Sequence, residues 1–339
     1  MKNITLIIIS LIFSCVDYKD INHKIKDSDV KKTQKSFDAD FFFVSNDKYL
    51  ILSSSSKKEW AKGTPKLLEF PGNGIYSAIT EAKMELIPSI YSNLIDKKIN
   101  VCNKVGEIFS ARITSLKLLS QFIPHFGQVE TWNGSIGIAL TNEQKAQEIF
   151  KSAALFLVAE FQMDNPKAKI NNLYFATPSE RPKPKLFPLL SDTSQNANIK
   201  NELSKIDEYE KVNKDYLGQS GFSSNKWWKD EEREEVFSLI KIKNGLHYAT
   251  LKHVLGNPCG TGFYANFFSV WKLENKKKPL LLYIKDNSYS IVLVTDIDND
   301  DIPEFFIDDD FGSHFLLKKD GESWRNYYDW IIPYEDCPC

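Results

Sequence analysis

Near the C-terminus, between two strand-like apolar runs, the chain reads Asp296-Ile-Asp298-Asn-Asp300-Asp-Ile302-Pro-Glu304. Carboxylates stand at loop positions 1, 3, 5 and 9, and eight of the fifteen residues from Asp296 to Asp310 are Asp or Glu. Like charges crowded into one turn oppose folding unless a cation sits among them. An oxygen-only set at alternating positions suits a hard ion, Ca²⁺ ahead of Mg²⁺, because calcium accepts roughly six to eight oxygens in flexible geometry. The competing reading is a solvated acidic turn that holds no ion. A second cluster, Asp308 to Asp310, begins about 13 Å beyond Glu304 along an extended strand, too far to share that ion, and reads as a polar turn.

Signals for covalent or acid–base chemistry are sparse. Gly218-Gln-Ser220-Gly221 misses the nucleophile-elbow spacing by one residue and follows a predicted helix, so it reads as a turn. His247 and His253 share a predicted strand but stand about 20 Å apart along it, beyond the reach of one metal. His125, in Pro124-His125-Phe126-Gly127, has the choice between proton carrier and packed ring. Trp227-Trp228 reads either as a stacking platform for sugar or peptide or as the hydrophobic edge of the last block. No set of catalytic residues emerges.

Five cysteines bear on the compartment. Met1-Lys2-Asn3 opens a short basic start, and residues 4–13 are apolar except for Thr5 and Ser10, too short a run to span a bilayer as a stable helix. Ser14 directly before Cys15 resembles the lipobox of bacterial lipoproteins. That resemblance implies a signal peptide over residues 1–15, with Cys15 diacylated as the first mature residue, and more than one acyl chain would hold the protein firmly to a membrane. Residues 16–36 are almost wholly polar and read as a flexible tether. Cys102, Cys259, Cys337 and Cys339 remain as disulfide candidates, an even number that fits an oxidising compartment. Cys337 and Cys339 are too close to pair comfortably with each other. A four-cysteine zinc site and free buried thiols are the other readings.

The elements that must position the acidic loop are mostly strands. Aromatic residues make up 13% of the chain, a share that favours sheet. The fold class expected is α+β and β-rich. Residues 37–176 read as a mixed α+β block, with a hairpin around residues 45–48 and a turn at Asn133-Gly134. Thr141 and Gln144 form a capping-box pattern that opens one long helix running to about Met163. Residues 177–225, which carry Pro178, Pro182, Pro184 and Pro188, read as a connection, with a charged surface helix over residues 201–216. Residues 226–339 read as an antiparallel β-meander, whose clearest hairpin turns at Asn244-Gly245.

The order strand, Asp-x-Asp-x-Asp-x-x-x-Glu, strand, then an aromatic strand ending in Asp320-Gly-x-x-Trp324, resembles a single FG-GAP or VCBS-type repeat. The likeness covers roughly residues 282–327. It implies a Ca²⁺ site with side-chain oxygens from Asp296, Asp298 and Asp300, the backbone carbonyl of Ile302, and a closing carboxylate from Glu304. Asn299 and Asp301 replace the usual glycines. Those positions commonly need φ > 0, which Asn and Asp tolerate better than most residues. An EF-hand is excluded, because its twelfth position would be Ile307.

With a net charge of −2 and no basic stripe, nucleic acid is excluded as a partner. The expectation is a non-catalytic envelope lipoprotein, lipid-anchored and with the outer membrane favoured, whose calcium-stabilised β module binds a polysaccharide or protein partner or serves envelope assembly. An envelope hydrolase with dispersed catalytic residues and a periplasmic inhibitor or immunity protein are the alternatives.

Overall fold

The first hairpin forms where the sequence places it: β1 (Phe42–Ser45) and β2 (Tyr49–Ser53) pair antiparallel. Asn46 and Asp47 take φ of 52° and 54° in the turn, a conformation these two residue types accept readily. The computed structural model describes residues 41–333, apart from 69–74, 124–139, 166–170, 192–193, 219–224, 231–232, 243–245, 257–262, 275–276, 288 and 310–311. The expected signal peptide and tether, His125, Asn133-Gly134, Ser220, Asn244-Gly245, Asp310, and all cysteines but Cys102 therefore lie outside the described residues.

From this hairpin a ring is built. The following strands are β3 (Ala61–Leu67), β4 (Tyr76–Ala82), β5 (Lys98–Asn103), β6 (Ile108–Phe122), β7 (Ala154–Met163) and β8 (Leu173–Pro178). Their order is β3-β4-β6-β5-β8-β1-β2-β7, and β7 also pairs with β6, closing six strands into an antiparallel barrel. The 15-residue β6 makes this possible: residues 108–112 pair with β5 and residues 117–122 with β4, while its other edge runs along β7. Strand side chains alternate between faces. Phe43, Cys102, Phe156, Val158 and Phe175 share a cluster with the neighbouring sheet, so the opposite row, Val44, Leu50, Val101, Ile113 and Leu157, fills the ring.

The long helix is a correction. The capping box forms, with Gln144 N–H donating to Thr141 Oγ1 (3.3 Å) and Thr141 N–H to Gln144 Oε1 (2.9 Å). However, the helix α1 covers only Asn142–Ser152, and the residues beyond it are β7. Ala154-Leu-Phe-Leu-Val-Ala is apolar on every face, a pattern shared by buried helices and central strands. Here β7 is central, with β6 on one edge and β2 on the other, and pairing outweighs helical propensity. Ile149 of α1 packs with Ala78 and Phe122 of the sheet.

The C-terminal block forms two meanders in place of one. After the short strands β9 (Lys185–Phe187) and β10 (Leu189–Leu190), β11 (Glu234–Lys241), β12 (His247–Leu255), β13 (Ala265–Leu273) and β14 (Leu280–Lys285) make one sheet, with β10 at its edge. The strands β15 (Tyr289–Asp296), β16 (Glu304–Asp309), β17 (Ser313–Asp320) and β18 (Ser323–Ile331) make the other, with β9 at its edge. The Pro-containing stretch thus contributes an edge strand to each sheet. It also supplies the helices α2 (Asn196–Leu203) and α3 (Asp207–Leu217), two where one was expected.

Consecutive apolar residues explain the layering, since Phe305, Phe306 and Ile307 need cover on both faces of β16. Phe305 and Ile307 join Tyr248, Phe268 and Val270 between the two sheets. Phe306 points the other way, with ring centroids 5.4 Å from Phe41, 5.6 Å from Phe43, 5.4 Å from Tyr174 and 4.8 Å from Phe175. On the far face of the first sheet, Tyr209 and Tyr216 of α3 bury against Trp227, Phe263 and Phe267. The layers run helices, sheet, sheet, barrel. Among the described residues no helix is long and apolar enough to cross a membrane.

Candidate metal centre

The acidic loop connects β15 to β16, whose register ends with Thr295 opposite Glu304. Ile297 anchors it, 2% exposed in the cluster that joins barrel and sheet. Asn299 and Asp301 take φ of 60° and 64°, the left-handed conformation expected where the resembled repeats carry glycine. Each turn of the loop is held by a carboxylate accepting backbone N–H groups. Asp296, wholly buried, accepts from Asp300 N (3.0 Å) and Asp301 N (3.1 Å), and Asp300 Oδ1 accepts from Ile302 N (2.7 Å). These bonds curl the chain so that Asp296, Asp298 and Asp300 each offer an oxygen within 4.8 Å of the others, a group that could hold a metal ion.

Glu304 stands outside that set of three. Its Oε2 accepts from Ile297 N (2.8 Å), and its Oε1 lies 3.3 Å from Lys318 Nζ. Ile302 is in the loop, with its N–H turned to Asp300.

Two lysines that sequence reasoning did not associate with the loop complete its electrostatics. Lys318 of β17 donates to Asp298 Oδ2 (2.8 Å), and Lys185 of β9 reaches Asp296 (3.2 Å) and Asp301 (3.1 Å). Four aspartates, Asp296, Asp298, Asp300 and Asp301, face two ammonium groups, so negative charge is in excess even without Glu304. Protonation equilibria follow this distribution. Burial, aided by the charges of Asp298 and Asp296, pushes the Asp300 carboxyl up. Burial also tends to raise Asp298, but the bond from Lys318 outweighs it and holds that carboxyl low. Glu304, 1% exposed, is pushed up by burial to about 8.

The second acidic cluster is separate, as expected, but it is strand rather than turn. Asp308 and Asp309 belong to β16 and pair with Ser290 and Tyr289, at the opposite end of the hairpin from Glu304. Asp308 Oδ1 accepts from Tyr174 OH and lies 2.6 Å from His314 Nδ1.

A second linked set of titratable groups is buried beneath α3. Tyr209 OH is hydrogen-bonded to His253 Nδ1, and His253 Nε2 lies 2.9 Å from Glu235 Oε2. Tyr209 and His253 are 0% and 1% exposed, and the chain of bonds ties α3 to the sheet below. Trp227 and Trp228 are core rings packed at a tilt against Tyr209, which resolves that choice in favour of a hydrophobic role. Cys102, a disulfide candidate on sequence, is a wholly buried free thiol on β5 whose pKa burial pushes up to about 12.

Compared with protein-family models, curated proteins and solved structures, the chain matches none. The likeness of the acidic loop to FG-GAP and VCBS-type repeats therefore rests on the loop's own residues.

Proposed function

We propose that this protein is a non-catalytic lipoprotein of the bacterial cell envelope, in which a calcium ion held by the loop over residues 296–304 stiffens a β sandwich that binds a polysaccharide or protein partner. The observation that carries this reading is the convergence of Asp296, Asp298 and Asp300, with left-handed residues at Asn299 and Asp301 allowing the curl. Excess negative charge favours a divalent ion over a further ammonium group, and oxygen donors favour calcium. Ile302, through its backbone carbonyl, and Glu304 would supply further protein ligands. Cys15, by its lipobox-like setting, would carry the lipid anchor, with the outer membrane the favoured location. The ion's role would be structural: it removes repulsion at the end of the β15–β16 hairpin, whose other face packs on the barrel.

Calorimetric titration of the chelator-treated protein with CaCl₂ and, separately, MgCl₂ tests this. Saturable binding of about one calcium, tighter than magnesium, is the expected result. Heats no larger than those of dilution for both ions would remove the metal centre and leave an acidic turn neutralised by Lys185 and Lys318.

A further inference from the structure

The connection from β4 to β5, residues 83–97, leaves the barrel wall beside the middle of β6, between the Glu81–Lys117 and Lys98–Arg112 pairs. From Leu86 to Ile95 it carries no charged residue. Met84, Leu86 and Ile90 are 40%, 44% and 39% exposed, while Ile87 between them is buried and pins the segment to the body. Three large apolar side chains are thus held in water within seven residues of chain, a surface of the kind that marks an interaction site.

The backbone of this connection is largely closed on itself. A 3₁₀ turn (Met84–Leu86) and a single helical turn (Ser89–Ser92) supply acceptors for most of its N–H groups: Leu86 donates to Lys83 O, Tyr91 to Pro88 O, Asn93 to Ser89 O and Leu94 to Tyr91 O. A segment built this way leaves water with few stranded polar groups. Lys83, Lys97 and Lys98 flank the patch and Glu85 and Asp96 oppose them, so charge nearly cancels and apolar surface sets the chemistry. The occupant follows from where the chain enters the barrel. Strands β1 and β5 both run antiparallel to β8, with Phe42 and Val101 each opposite Ala176. The chain before Phe41 therefore joins the barrel at the end where β5 starts, the end that carries residues 83–97. A lipid on Cys15 would keep that end within reach of the bilayer.

We propose that residues 83–97 dock on the lipid surface. Met84, Leu86 and Ile90 enter the boundary between headgroups and acyl chains, and Lys97 and Lys98 stay at headgroup level with their stems along the apolar surface. This contact rests on the lipid anchor proposed at Cys15 and gives the anchored barrel a fixed face toward the membrane.

Hydrogen exchange of the full chain, recorded with and without phosphatidylcholine vesicles, tests this. Vesicles are expected to slow amide exchange in residues 83–97 by at least about tenfold and to leave β18 unchanged. Combining Leu86→Gln with Ile90→Gln is expected to remove that protection and to leave exchange elsewhere as in the wild type, since both side chains lie on the surface. Because charge nearly cancels, the protection is expected to persist in about 1 M salt, where surface charges are screened. Exchange in residues 83–97 that vesicles leave unchanged would overturn the docking, as would protection that survives in the double variant or disappears at high salt. Detergent partitioning of Cys15→Ser reads the anchor by itself, so a failed anchor and a failed surface contact are told apart.

Discussion

Lys318 Nζ stands 2.8 Å from Asp298 Oδ2, so an ammonium group of the protein occupies one corner of the carboxylate cluster. The same nitrogen is 3.3 Å from Glu304 Oε1, linking the two ends of the loop from a neighbouring strand. An internal cation of this kind competes with a metal for the same oxygens. Lys318→Gln is therefore expected to tighten calcium binding by about tenfold, or ~1.4 kcal/mol, and to destabilise the calcium-free protein. Calorimetry and thermal unfolding in chelator check the two halves. Unchanged affinity in the variant would mean that Lys318 moves aside at no cost.

Calcium that binds only the folded state stabilises it by mass action, about 2.7 kcal/mol at roughly 100-fold excess over its dissociation constant. Asp298→Ala is expected to abolish that gain, because it removes one of the three converging carboxylates. Asp309→Ala should retain it, since Asp309 pairs with Tyr289, about 17 Å along the strand from Glu304. Unfolding curves recorded with calcium and with chelator decide between them.

Phe306 is wholly buried against four aromatic rings, where the outer wall of the barrel meets the sheet carrying the loop. Phe306→Ala is expected to cost about 3–5 kcal/mol through lost burial and the cavity left behind. Tyr327→Ala, at a side chain 52% exposed, should stay within about 0.5 kcal/mol. Chemical denaturation gives both values, and similar losses at the two sites would contradict the layering.

Acid sensitivity is expected from the clip beneath α3. Burial lowers the His253 pKa below its ordinary 6.5, against the pull of Glu235 and with help from Arg233 and Lys200. The unfolded chain therefore takes up this proton first as pH falls. Stability is fully present above pH 6.5 and drains below it, by at most about 1.4 kcal/mol per pH unit. Glu235, which burial would raise, is instead held low by bonds from His253, Lys200 and Asn196, so its contribution is lost at still lower pH, below the ordinary 4.5. His253→Gln should flatten the slope just below pH 6.5 and keep the more acidic one. Denaturant midpoints across that range are the measurement.

If Cys15 carries the proposed lipid, Cys15→Ser is expected to move the protein from the membrane to the soluble fraction; the motif behind the proposal is the apolar run of residues 4–13 followed by Ser14 and Cys15. Detergent phase partitioning of both forms reads it directly. Unaltered partitioning of the variant would exclude the lipid anchor.

What the sequence determined by itself was what neighbouring residues encode. Hairpin β1–β2 follows from two short apolar runs on either side of Asn46 and Asp47, and the start of α1 follows from Thr141 and Gln144 three residues apart. The curl of the acidic loop follows from carboxylates at every second position, each bonding to backbone a few residues ahead, with Asn299 and Asp301 free to take φ > 0. The tertiary structure decided whatever depends on distant partners. The run from Ala154 to Ala159 is apolar on all sides, so nothing local separates helix from central strand; the edges of β2 and β6 on either side made it a strand and closed the barrel. The C-terminal strands divided into two sheets because residues such as Phe305 and Phe306, adjacent in sequence, had to be covered on opposite faces. Lys185 meets Asp296 across 111 residues of chain. Charge attraction at that separation acts only after packing has brought β9 beside β15, and so no spacing in the sequence announces it.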